Sequence, residues 1–231
     1  CVVRVRETLT APPVLTGPTS VCSGEQDVIY TLPDVAPNNP IGGLTRYRYQ
    51  ETNTGNTDTD WFNWNDGTVG FTDYETDDDQ QIDVKTTGSQ ISRRLRVRLE
   101  YQTTVSSGSR CETGYSNRDV TIYPLPDAVI SGTTTICNGG SATLTFTVTN
   151  GPVNVEYTDG TSTFNLNNVN STTASTGVLT ANTTYTINSV VRASAPACGG
   201  TKSGSAAITV NALPTAGTDD LDETICQGED F

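Results

Sequence analysis

The chain has 231 residues, 34% hydrophobic and 17% charged, with a net charge of −13 and a mean hydropathy of −0.36. Histidine and methionine are absent, which removes the commonest general base, most zinc-site designs and every Ser-His or Cys-His nucleophile pair. The acidic balance argues against nucleic acid and anionic lipid as partners, and no apolar run approaches the 18 residues expected of a membrane-inserted helix.

Short alternating segments then follow one another along the chain. Cys1 leads through Val2, Val3 and Val5 to Pro12-Pro13, so residues 1–11 are expected to be the last strand of a preceding unit. Residues 12–126 form a first unit, with strands expected at 28–32, 47–49, 82–84, 95–101 and 120–122 and a long aromatic and acidic insertion at 53–79. Residues 127–213 form a second. There Ala142, Leu144, Phe146 and Val148 alternate with four threonines, which puts apolar side chains on one face of a strand and hydroxyls on the other. Further strands are expected at 153–157, 185–191 and 206–210, and residues 214–231 are expected to open a following unit. Turn signals such as Asn65-Asp66-Gly67 and Asp159-Gly160 separate the strands. Helical spacing with capping signals is missing throughout. The pattern predicts an all-β chain of tandem antiparallel β-sandwiches.

The cysteines mark the same organisation. Pro13, Gly17, Val21-Cys22-Ser23-Gly24 is matched by Pro126, Gly132, Ile136-Cys137-Asn138-Gly139 and by Pro214, Gly217, Ile225-Cys226-Gln227-Gly228. Each unit also has a late cysteine, Cys111 or Cys198, ahead of a final alternating strand and a proline-marked exit. Of fifteen possible pairings, the expected ones are Cys22–Cys111 and Cys137–Cys198, one disulfide per unit, with Cys1 and Cys226 left for partners in neighbouring units or chains. Closing loops of about 90 and 60 residues would stabilise each unit by roughly 4–5 kcal/mol on the chain-entropy model. Paired cysteines point to an oxidising, extracellular place. Tyr185, at the start of a strand after Leu179, is either a tyrosine corner bonded back to the preceding loop or a plain strand tyrosine.

The Pro–Gly–Ile/Val-Cys-x-Gly opening, the Leu179-x5-Tyr185-Thr-Ile187 strand, the late cysteine and the proline-bounded exit resemble tandem Ig-like or PKD-like repeats. Such repeats occur in very large surface proteins of Bacteroidota, including gliding-motility adhesins and other type IX secretion cargo. The resemblance covers essentially the whole chain, more closely in the second unit; the insertion at 53–79 departs from the pattern. It implies an extracellular, rod-like array for adhesion or spacing, without catalysis.

Candidate sites concentrate in the first unit. Asp58, Asp60, Asp77 and Asp79 offer hard oxygen ligands of the kind Ca²⁺ takes. Read as a calcium loop starting at Asn56, however, the segment has Trp61 where a sharp turn needs glycine and Gly67 where it needs glutamate, so a solvated acidic loop is expected and no cofactor is required. Trp61 and Trp64 are a candidate stacking platform for a glycan, with sandwich-core packing expected for at least one of them. Arg93, Arg94, Arg96 and Arg98 form a basic ribbon, expected to face the acidic stretch 77–83 of the same unit. Carboxylate pairs for glycoside hydrolysis gain no support from helices, cleft-forming insertions or an orienting histidine. The expected role is a structural and adhesive segment of an extracellular repeat protein or surface filament. Its partners would be neighbouring units of the same protein, self-assembled copies and an unidentified surface or glycan. The alternative is a carbohydrate- or calcium-binding module appended to a secreted enzyme.

Overall fold

The computed structural model describes residues 14–31, 44–53, 62–64, 74–75, 79–102 and 110–214, with side chains placed over 14–31, 84–98 and 113–214. The chain divides into two units, residues 1–124 and 125–231. Among the described residues every regular element is a strand.

In the first unit the strands are β1 (Ser20–Cys22), β2 (Val28–Thr31), β3 (Leu44–Asn53), β4 (Phe62–Trp64), β5 (Tyr74–Glu75), β6 (Asp79–Val84), β7 (Ile91–Gln102), β8 (Arg110–Glu112) and β9 (Ser116–Tyr123). One sheet runs β1-β9-β7-β3-β5, with β8 alongside β7, and the other runs β2-β6-β4. Val28, Tyr30 and Val84 from the smaller sheet pack with Val21, Leu95, Val97, Val120 and Ile122 from the larger one. Arg94, Arg96 and Arg98 alternate with Leu95 and Val97, so β7 buries one face and turns its arginines outward.

The second unit continues with β10 (Asp127–Ser131), β11 (Thr134–Cys137), β12 (Thr143–Thr149), β13 (Val153–Thr158), β14 (Thr163–Val169), β15 (Thr172–Ser175), β16 (Thr183–Arg192), β17 (Thr201–Gly204) and β18 (Ala206–Asn211). Its sheets are β15-β12-β10-β17 and β11-β18-β16-β13-β14. The predicted alternation on β12 is realised: Leu144 and Phe146 are buried and Thr143, Thr145, Thr147 and Thr149 are exposed. On β16 the alternation slips. Tyr185 and Ile187 face inward and the next inward residue is Val190, because the register against β13 shifts between Glu156 and Tyr157. Asn188 is the extra residue of a β-bulge, which keeps the inward face apolar past the irregularity.

Both units use the repeated Gly–Val/Ile-Cys-x-Gly residues in one way. The opening segment pairs first with one sheet and then crosses to the other: Thr16 bridges Thr31 before β1 joins β9, and β10 pairs with β12 before β11 joins β18. Gly17 (φ +147°) and Gly132 (φ +126°) make the crossing. A Cβ on Gly17 would lie 2.4 Å from the Tyr30 ring, and one on Gly132 would lie 2.5 Å from the Thr143 carbonyl oxygen. Val21 then enters the first core and Ile136 packs against the second. Gly24 and Gly139 take positive φ in the turns that follow each cysteine.

Tyr185 is the plain strand tyrosine of the two readings. Its ring lies 6.4 Å from Tyr157 and 6.3 Å from Phe164 in the second core, and among the described residues its hydroxyl bonds to no preceding loop. The tyrosine that reaches back is Tyr30, whose hydroxyl donates to the Pro18 carbonyl at 3.0 Å. Burial pushes the Tyr30 hydroxyl well above the usual tyrosine range, so it stays a donor at any physiological pH.

Two predictions follow for chemical denaturation. Gly132→Ala is expected to destabilise the second unit by about 2–3 kcal/mol, against about 1 kcal/mol for Gly139→Ala, where a Cβ meets open space; equal losses would refute the close approach as the cause. Tyr30→Phe is expected to cost the first unit about 1 kcal/mol. Because its folded pKa is raised, the tyrosine's contribution is fully present below its unfolded value of about 10 and declines as pH rises beyond it. A parent whose stability is flat above that pH would count against the buried donor.

Candidate functional site: the cysteines and the outer arginines

Cys22 closes β1 opposite Tyr123, the last residue of β9, in a parallel pair. A tight turn holds it there: the Cys22 amide donates to the Glu25 carboxylate at 2.7 Å and the Glu25 amide donates to the Cys22 carbonyl at 3.1 Å. The next residue, Ser23, is buried, and its hydroxyl accepts from the Thr87 amide at 2.7 Å. Cys137 has the matching place in the second unit, opposite Asn211, the last residue of β18. There the Gly140 amide donates to the Cys137 carbonyl at 2.9 Å.

The late cysteines lie at the other end of their units. Cys111 on β8 is opposite Tyr101 of β7, whereas β9 brings Cys22 to the neighbourhood of Ile91, ten residues earlier on β7. That is about 33 Å of extended strand. Cys198 is 1% exposed in the loop after β16, its carbonyl accepting from the Arg192 amide at 2.9 Å. Nearby, the Thr201 amide donates to the Pro126 carbonyl, which ties this loop to the start of the unit. Cys137 is beyond the opposite end of β16, past Thr183, about 30 Å away along the strand.

A disulfide needs Cα atoms within about 7 Å. The strand register inside each unit therefore sets the members of the two expected pairs, Cys22–Cys111 and Cys137–Cys198, apart along β7 and β16. Cys22, Cys137 and Cys198 are each disulfide-bonded.

The outer face of β7 carries the basic ribbon, with one correction. Arg94, Arg96 and Arg98 share that face, while Arg93 falls on the side of Leu95 and Val97. The described partner of Arg94 is Asp119 on β9, held through both guanidinium nitrogens at 2.6 and 3.0 Å, and not a residue of the stretch 77–83. Hydrogen bonding to Arg94 holds the Asp119 carboxyl below the usual carboxylate range. Arg96 and Arg98 stack over the Tyr115 ring, 4.4 and 4.9 Å from its centroid. Asp119 and Tyr115 were not singled out from sequence, although Asp119 alternates with Val120 and Ile122 on the following strand and Tyr115 lies just ahead of it, which is the signal that would have found them.

Trp61, Asp58, Asp60, Asp77, Cys1 and Cys226 lie outside the described residues. Trp64 ends β4 opposite Ile82, and Asp79 opens β6 opposite Thr31, with backbone alone described for both. Among the described residues no group of three or more His, Cys, Asp or Glu is placed to hold a metal, and no helix is long and apolar enough to cross a membrane.

No protein-family model matches the chain, and no curated protein matches it. Among solved structures it is similar to a marsupial T cell receptor over 89% of this chain and 74% of that one, at 11% identity and a TM-score of 0.51. It also aligns with the periplasmic chaperone SfaE over 86% of this chain and 100% of that one, at 12% identity and a TM-score of 0.30. The first likeness shows an Ig-like fold. The disulfide-bonded cysteines suggest an extracellular or secreted protein.

Mass-spectrometric mapping of non-reduced peptides is expected to find Cys22, Cys137 and Cys198 each in a disulfide. A free thiol at any of the three in the folded, oxidised protein would refute it.

Proposed function

We propose that the chain is a non-catalytic structural and adhesive segment of a larger extracellular assembly, in which disulfide-bonded Ig-like units act in series as a rod or stalk. The observation that carries this reading is an Ig-like fold that carries disulfide-bonded cysteines, Cys22 in the first unit and Cys137 and Cys198 in the second. Two further features support it. Each unit has an apolar core of its own, so neither depends on a disulfide to supply its packing. The outward threonine row of β12 and the net charge of −13 suit a solvated, non-aggregating surface.

The resemblance to Bacteroidota surface repeats of the gliding-motility adhesin and type IX secretion type supplies the finer form of the proposal. In it the partners are neighbouring units of the same protein, and a surface or glycan is the target at the tip. Electron microscopy of the native assembly, labelled with an antibody to this segment, tests it. A filament or beaded stalk bearing the label along its length is expected; label on a compact particle with hydrolase activity would overturn it.

A further inference from the structure

We infer that the outer face of the larger sheet in the first unit binds a linear anionic glycan, through the carboxylate or sulfate groups spaced along it. The inference deepens the adhesive reading by naming the class of surface gripped, and rests on that reading for its use in the assembly.

The chain has 26 acidic and 13 basic residues, yet its cations gather on this face. Arg94, Arg96 and Arg98 share the outer side of β7. The strand register adds Arg46 and Arg48 of β3, opposite Glu100 and Arg98, and Arg110 of β8, opposite Gln102, with backbone alone described for these three. Six of the thirteen Lys and Arg residues thus fall at register positions of one face. Among the described residues the same register gives that face three acidic positions, Glu100, Glu112 and Asp119. The face is positive in a chain of net charge −13.

Two contacts hold the arginines of β7 in place. Arg94 is fixed to Asp119 through two nitrogens at 2.6 and 3.0 Å. Arg96 and Arg98 stack over Tyr115, 4.4 and 4.9 Å from its centroid. Holding these side chains in advance removes part of the entropy that binding would otherwise cost. Stacking uses the face of a guanidinium, whereas its five N–H donors lie in the plane, so a carboxylate or sulfate oxygen can join the contacts already made.

Spacing and surroundings select the ligand. Alternate residues of an extended strand are about 6.6 Å apart, so Arg94, Arg96 and Arg98 form a sparse row of charges. Duplex DNA brings one charge per about 1.7 Å of its axis, and the acids elsewhere on the chain would repel that excess. A glycan with one anionic group on every sugar or every second sugar matches the row better. At physiological salt, screening confines repulsion from the rest of the chain to about 8 Å. An extended acidic peptide gains most from main-chain hydrogen bonds at a sheet edge, and a face offers side chains alone.

The test is binding of the full 231-residue chain, at physiological salt, to immobilised polygalacturonate, chondroitin sulfate and neutral dextran. Retention on one or both anionic glycans and none on dextran is expected, with release at about 1 M salt, where the screening length falls to about 3 Å. Retention on polygalacturonate identifies carboxylate as a sufficient group, and retention on chondroitin sulfate alone identifies sulfate. Arg96→Gln/Arg98→Gln is expected to weaken binding about ten-fold or more, and Arg192→Gln in the second unit to leave it unchanged. If the glutamine pair fails to fold, Arg96→Lys/Arg98→Lys, which keeps the charge and loses the planar fork, is expected to bind several-fold more weakly than the parent. Retention on neither glycan, a folded pair variant that binds as the parent does, or tighter retention on single-stranded DNA or poly-glutamate would overturn the inference. Should microscopy show no rod or stalk while the glycan is bound, the proposed function falls and the site stands; a stalk without glycan binding gives the reverse.

Discussion

A parallel strand pair governs where the cysteines of this chain can go. In each unit the cysteine-bearing opening strand joins the final strand in parallel, β1 with β9 and β11 with β18. An antiparallel partner would have left the opening cysteine near the start of its unit. The parallel one carries it to the end at which the chain leaves. The late cysteine precedes the final strand and is left at the opposite end, so two cysteines of one unit face away from each other along the length of the sandwich. The glycine crossing at Gly17 or Gly132 makes this pairing reachable, since it lets a segment that begins on one sheet finish on the other.

The strands were legible where their chemistry is regular. On β12 a perfect apolar–threonine alternation predicts both the strand and its buried face, and the structure agrees residue by residue. Asp159-Gly160 was legible as a turn, and the Asp159 carboxylate indeed accepts from the Thr161 and Ser162 amides. Other strands were illegible for identifiable reasons. β14 carries Asn165, Asn167 and Asn168, residues that strands disfavour, and Asn168 has positive φ. β17 is exposed along its whole length and has no apolar residue to show a period.

The cysteines show a different limit. An opening cysteine and a late cysteine alternating along the chain are equally consistent with bonds inside units and bonds staggered by one unit. Nothing in Val21-Cys22-Ser23 reveals whether a three-residue strand will run parallel or antiparallel to its neighbour, and that one bit sets how far apart the two cysteines of a unit lie. The arginines failed more mildly. Alternation placed Arg94, Arg96 and Arg98 together, but proximity in sequence suggested residues 77–83 as the counter-charge, while Arg94 found Asp119 on the strand that β7 actually borders.

The register also bears on the order of folding and oxidation. Cys22 and Cys111 are both present in the growing chain before Ser116–Tyr123 is made. Once β1 and β7 have both paired with β9, the sheet keeps those two thiols the length of β7 apart. Completing the first sandwich and joining that pair therefore exclude one another.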